Sequence, residues 1–244
     1  MAISTLKLGI FFTLSLLISG CSNIYSTDSG GEPYKLATAA LPTAQINPLQ
    51  ILNRSEPTPT VEEAVTPELL ASINIPFLAV TLLDQARSGQ NAPWAGFLLS
   101  GDNKDVITWV DGTARTISLT QTGFVRATRG YGRDLMVADS ADLESVFVNF
   151  EAFTKLDRIH WLLDGSNQSQ ALALVCEKTR SERTTLTQVE KQYQTLYFEE
   201  RCLDQKGNEI VNKFWFEAKT RSFIKSEQWI SPEIGRLRFQ RLNL

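Results

Sequence analysis

The chain has 244 residues, 43% of them hydrophobic, 21% charged and 9% aromatic, which is enough apolar material for a sizeable core and excludes a disordered or fibrous protein. Lys plus Arg number 24 against 27 Asp plus Glu, a net charge of −3 with no long basic run, so nucleic acid is not an expected partner. One histidine and three cysteines leave too few soft ligands for a zinc or iron–sulfur centre, and no metal or other cofactor is expected.

The first residues read as an address. Lys7 precedes the apolar run Leu8 to Ile18, 11 residues long. A membrane-spanning helix takes roughly 20 apolar residues and the apolar part of an export signal about 7 to 15, so the length fits export. Leu17-Ile18-Ser19-Gly20-Cys21 resembles the lipobox of bacterial lipoproteins, where small residues ahead of a Cys admit a dedicated peptidase once the thiol is acylated. The resemblance implies a signal peptide over residues 1–20 and a mature protein starting at lipidated Cys21. Two or three acyl chains, at about 0.8 kcal/mol per buried CH₂, anchor stably where one does not. Ser22, where Asp would favour inner-membrane retention, implies an outer-membrane anchor on the periplasmic face. The alternative is an ordinary secretory signal in which Cys21 is incidental.

Residues 21–72 are rich in Ser, Thr, Pro and Ala, with Pro33, Pro42, Pro48, Pro57 and Pro59 at short intervals, and read as a tether. Within it Leu69 to Ile73 is apolar enough to dock on the domain or form a brief helix. Residues 73–244 read as a single domain. Trp94 to Ser100 runs into Gly101-Asp102-Asn103, and Val106 to Val110 alternates up to the hairpin dipeptide Asp111-Gly112, with Thr113 to Thr120 as the return strand. Phe124 to Arg129 is broken by Gly130-Tyr131-Gly132. Ser140 to Phe153 spaces Leu143, Val146, Phe147 and Phe150 by three and four behind a Ser N-cap, the best helix candidate. Further strands are expected at His160 to Leu163, Ala171 to Lys178, Gln192 to Leu203, Glu209 to Glu217, Ser222 to Ile230 and Arg236 to Leu242. Short strands with tight turns argue for a mainly β fold, an antiparallel β-sandwich or open β-barrel with at most one or two short helices.

Several stretches resemble one family. Trp109-Val-Asp-Gly112, Gly123-Phe-Val-Arg-Ala-Thr128 and Gly132-Arg-Asp-Leu135 look like a strand pair and glycine-bearing turn of the YjbF/GfcB lipoproteins. Phe214-Trp-Phe-Glu-Ala-Lys-Thr220 followed by Lys225-Ser-Glu-Gln-Trp-Ile-Ser-Pro232 resembles that family's closing hairpin. The turn Arg129-Gly-Tyr-Gly-Arg-Asp134 and Arg221 depart from the family pattern. The resemblance implies a mostly β, outer-membrane-anchored periplasmic accessory protein of group 4 capsule or related exopolysaccharide production, without enzymatic activity. Its partners are then the outer-membrane lipid through Cys21, with polysaccharide or export proteins as candidates. A carrier or binding module for a hydrophobic or lipid ligand is the alternative, distinguished by an apolar cavity instead of a filled core.

Once Cys21 is lipidated, Cys176 and Cys202 form an even pair in an oxidising compartment, and a disulfide between them is expected, against two free buried thiols. His160 lies in an apolar strand with no ligand-spaced neighbour and reads as structural. Asp111, Asp134, Asp139 and Asp142 are candidate carboxylates for glycoside hydrolysis only by chance of abundance. Arg126, Arg129, Tyr131 and Arg133, on a glycine-rich turn, form a candidate glycan or partner site, since guanidinium and aromatic groups stack on sugars and hold anionic groups. Trp94, Trp109, Trp215 and Trp229 offer stacking platforms or, more often in strands, core packing.

Overall fold

The computed structural model describes residues 58–73, 75–139, 155–166 and 168–242. The signal segment, Cys21 and the helix expected over Ser140 to Phe153 lie outside the described residues. Twelve strands form one antiparallel sheet. They are β1 (Phe77–Leu82), β2 (Trp94–Asp102), β3 (Val106–Asp111), β4 (Thr116–Thr120), β5 (Val125–Arg129) and β6 (Leu135–Asp139), then β7 (Lys155–Leu163), β8 (Ser169–Gln188), β9 (Lys191–Asp204), β10 (Glu209–Glu217), β11 (Phe223–Ser231) and β12 (Gly235–Arg241). Their order is β5-β4-β3-β2-β1-β12-β11-β10-β9-β8-β7-β6, a meander with one long-range junction between β1 and β12, where Leu78 pairs with Arg241 and Leu82 with Leu237.

The sheet curls into a nearly closed barrel, and its last seam lacks a backbone ladder. The Leu135 N–H donates to Thr128 Oγ1 (3.0 Å), and Arg129 donates from Nη1 to the Leu135 carbonyl (3.1 Å) and from Nη2 to that of Met136 (3.2 Å). Side chains of β5 thus reach over to the backbone of β6.

Period-two burial follows the sequence: β3 and β10 alternate buried and half-exposed positions. The inward set fills the barrel, with Trp109, Phe97, Phe239 and Leu237 fully buried. Phe198, Phe214 and Phe216 stack in a row, the first two with ring centroids 4.6 Å apart, and Phe124 meets Phe214 at 4.4 Å. Each such ring taken from water contributes about 1.5–3 kcal/mol. Gln228 spans the interior, donating to the Gly123 carbonyl (2.7 Å) and accepting from the Val125 N–H (3.0 Å).

The folded unit begins earlier than residue 73. Two short helices, α1 (Val61–Ala64) and α2 (Pro67–Ser72), lie inside the segment expected to be tether. Thr60 and Glu63 form a reciprocal capping box, Thr66 caps α2, and Pro67 sits at its first turn, where a missing N–H costs nothing. Val61, Val65 and Ile73 pack with Phe77, Ala79, Trp94 and Leu98 on the outer face of the sheet. This explains β1, a strand beyond the expected set: all six residues are buried because the helices cover one face and the barrel interior the other. Pro67, at the end of the proline-bearing stretch, thus opens a helix.

Other differences are local. In the β3–β4 turn the left-handed residue is Ala114 (φ 63°) instead of Gly112, because the Asp111 carboxylate accepts from the Thr113 and Arg115 N–H groups and wraps a longer turn. β7 begins five residues before His160. β8 runs to Gln188, and among the described residues its polar second half pairs with β9. Arg180, Glu182 and Arg183 are exposed there.

Candidate binding cleft

The pairing of β10 with β11 runs from Phe216 to the pair Lys213–Glu227 and stops. Beyond it, β10 stays with β9 down to Glu209, and β11 stays with β12 up to Ser231. In place of a ladder bond, Asn212 Oδ1 accepts the Trp229 N–H at 2.8 Å. The divergence opens a cleft of about 510 Å³ between the β10 and β11 ends, the β7–β8 hairpin and the β9–β10 turn.

Its floor is apolar, made of Leu162, Leu172, Ile210 and Trp229, and its rim carries Gln170, Gln205, Lys206 and Glu209. Asp204 and Asn208, also in the lining, are committed to the turn itself. Asp204 Oδ1 accepts from the Lys206 and Asn208 N–H groups (2.8 Å each) and Oδ2 from Asn208 Nδ2 (2.7 Å), which holds the carboxyl below the usual range. Gly207, at φ 79°, takes the left-handed position of this turn.

Beneath Trp229 lies a buried polar layer. Its indole stacks on His160, with centroids 5.9 Å apart and planes 16° from parallel. Burial, and secondly the Arg158 charge, push the imidazole down to about 4, so it is neutral; the Ile230 backbone offsets part of this without reaching hydrogen-bond geometry. Arg158 and the fully buried Glu200 form an ion pair at 2.8 Å, and Asn212 Nδ2 donates to Glu200 Oε1 at 2.8 Å. Asn212 thus joins the buried pair to the cleft floor. Arg158 also lies 5.1 Å over the Phe124 ring.

Cys176 and Cys202 are directly opposed on β8 and β9 and joined by a disulfide that clusters with Ile210, with Leu172 and Trp229 packed against it. They cluster with Glu200, but sulfurs bonded to each other are not thiolate ligands.

The arginine–tyrosine set is dispersed. Arg129 is spent on the seam. Tyr131 packs against the core with Arg115 5.2 Å over its ring, and burial pushes its phenol well above the ordinary range. Arg133 pairs with Glu233 at 2.5 Å, and Arg126 is half-exposed on β5. Asp111 is bound to Arg115, and Asp134 accepts from the Thr128 hydroxyl and the Gly130 and Tyr131 N–H groups. Trp94 and Trp109 are buried, Trp215 lies outside against Tyr197 and Lys225, and Trp229 alone of the four lines the cleft. Arg158, Glu200 and Asn212 escape sequence reasoning, although the alternation Leu156, Arg158, His160, Leu162 already places Arg158 on an inward face.

What the arrangement offers is a recess with an aromatic floor and an amide, ammonium and carboxylate rim, on an antiparallel β-barrel with a helical N-terminal cover. Residues 58–242 match the family described as group 4 capsule polysaccharide lipoprotein gfcB, YjbF, and the chain belongs to that family. No curated protein matches the sequence. Among solved structures, the crystal structure of the hypothetical lipoprotein YmcC from Escherichia coli K12 is similar in fold, with a TM-score of 0.61 at 11% identity over 78% of this chain and 98% of that one.

Proposed function

We propose that the protein is a lipid-anchored accessory of capsule or related exopolysaccharide export or assembly, held at the periplasmic face of the outer membrane through acylated Cys21 and acting by binding, without catalysis. Membership of the group 4 capsule lipoprotein family over residues 58–242 carries the reading. The geometry supports it over a carrier of acyl chains: among the described residues the barrel interior is packed with phenylalanines, and the recess lies at the surface with a polar rim. The helices α1 and α2 lead into the start of β1, at the end of the barrel opposite the cleft.

The test is deletion of the gene in its host, with surface polysaccharide quantified and complementation by wild type and by Cys21→Ala. Loss of surface polysaccharide, restored by wild type and not by the unanchored variant, is expected, and the variant is expected in the soluble periplasmic fraction. Unchanged polysaccharide would refute the functional reading. Membrane association of Cys21→Ala would refute the anchor.

A further inference from the structure

We infer that the cleft between β10 and β11 binds a pyranose unit of a polysaccharide chain, stacked on the indole of Trp229. The ligand class rests on the function proposed above; the place rests on the cleft's own chemistry. A pyranose presents a face of C–H bonds and a perimeter of hydroxyls that both donate and accept. A site for it therefore joins a flat aromatic surface to planar amides, carboxylates and ammonium groups around the edge. The described cleft has this composition: Trp229 with Leu162, Leu172 and Ile210 below, and Gln205, Lys206 and Glu209 above. Its volume of about 510 Å³ falls in the range of small-ligand sites, roughly 300–1,000 Å³.

Trp229 is also fixed before any ligand arrives. Its backbone N–H is held by Asn212, itself tied to the buried Glu200–Arg158 pair, and its ring rests on His160. A side chain already immobilised loses little conformational freedom when a ligand stacks on it, which favours affinity. The support is a neutral, buried imidazole, so the platform carries no charge of its own. Core packing alone does not account for the side-chain amide that replaces a ladder bond and parts two strands around an aromatic ring.

The full-length lipoprotein, solubilised in detergent, is titrated with oligosaccharides released by mild acid from the host's own surface polysaccharide, following tryptophan fluorescence and ligand-observed NMR. Saturable binding is expected, weakened roughly tenfold or more by Trp229→Ala and largely kept by Trp229→Phe. Gln205→Trp, an exposed turn position whose change leaves the floor intact, is expected to block the recess while the melting temperature stays unchanged. Trp215→Ala, on the outer face, is expected to bind as wild type. Absence of binding by the wild-type protein, or binding that survives both Trp229→Ala and Gln205→Trp, would overturn the inference. If gene deletion abolishes surface polysaccharide while the purified protein binds none of these oligosaccharides, the cleft assignment fails and the functional reading stands.

Discussion

Arg158 and Glu200 are two full charges removed from water, and neither would persist alone. Replacing one partner leaves an uncompensated buried charge, so Glu200→Gln or Arg158→Met is expected to lose about 3–5 kcal/mol of unfolding free energy, and the double change Arg158→Met with Glu200→Gln to recover most of it. Urea unfolding of the four proteins under non-reducing conditions measures both numbers. His160, the chain's sole histidine, makes a separate expectation about pH. Its imidazole titrates near 6.5 in the unfolded chain and at about 4 when buried. As pH falls below 6.5, the unfolded state takes up a proton that the folded state refuses. The stability from burying it neutral is thus present above 6.5 and lost toward 4, with a slope approaching about 1.4 kcal/mol per pH unit. Glu200, raised by burial, works in the opposite sense, so His160→Gln is the control: the difference in unfolding free energy between the two proteins should narrow from pH 7 to pH 5. A pH-independent difference would refute the account. The polar layer illustrates what a sequence hides. Leu156, Arg158, His160 and Leu162 show their shared face locally, but Glu200 stands 42 positions from Arg158 with no local mark of partnership.

At the level of elements, the β8–β9 hairpin carries the chain's crosslink. The bridge closes a loop of 26 positions, and its loss by Cys176→Ala with Cys202→Ala is expected to cost about 3 kcal/mol, read as a shift in denaturation midpoint. The wild-type protein, denatured without reductant, should titrate no thiol at these two positions. The β4–β5 turn sets a second expectation. Gly123 has φ 79°, and a methyl group there would run into the Phe223 ring, so Gly123→Ala is expected to lose at least about 2 kcal/mol by the same assay. Turns punctuated by Asp, Asn and Gly, and strands alternating around Trp109 or Phe214, were legible because their period and their stops are local. β1 and α1 were not, whereas Leu69 to Ile73, expected to dock or form a brief helix, lies in α2 and its docked end. A six-residue apolar run acquires its meaning from what covers both faces, and prolines look alike in a tether and at the start of a helix. The polar half of β8 was illegible for the opposite reason: its side chains are mostly exposed, so it has no apolar stripe to display.

For the molecule as a whole, mainly β architecture followed from composition and spacing, whereas closure did not, because it depends on one pairing between segments some 160 positions apart. That pairing also orients the protein, with the N-terminal cover at one end and the recess at the other. The meander has a consequence in time. Every neighbour in it except β1 and β12 is joined by a connection of the chain, so strands can zip together in the order in which they are synthesised, but β1 waits, one edge unpaired, until the last strand arrives. The nascent barrel therefore stays unlatched for nearly the whole length of its own production, and a chain stopped just before Gly235 should be digested by protease at concentrations that leave the intact domain untouched.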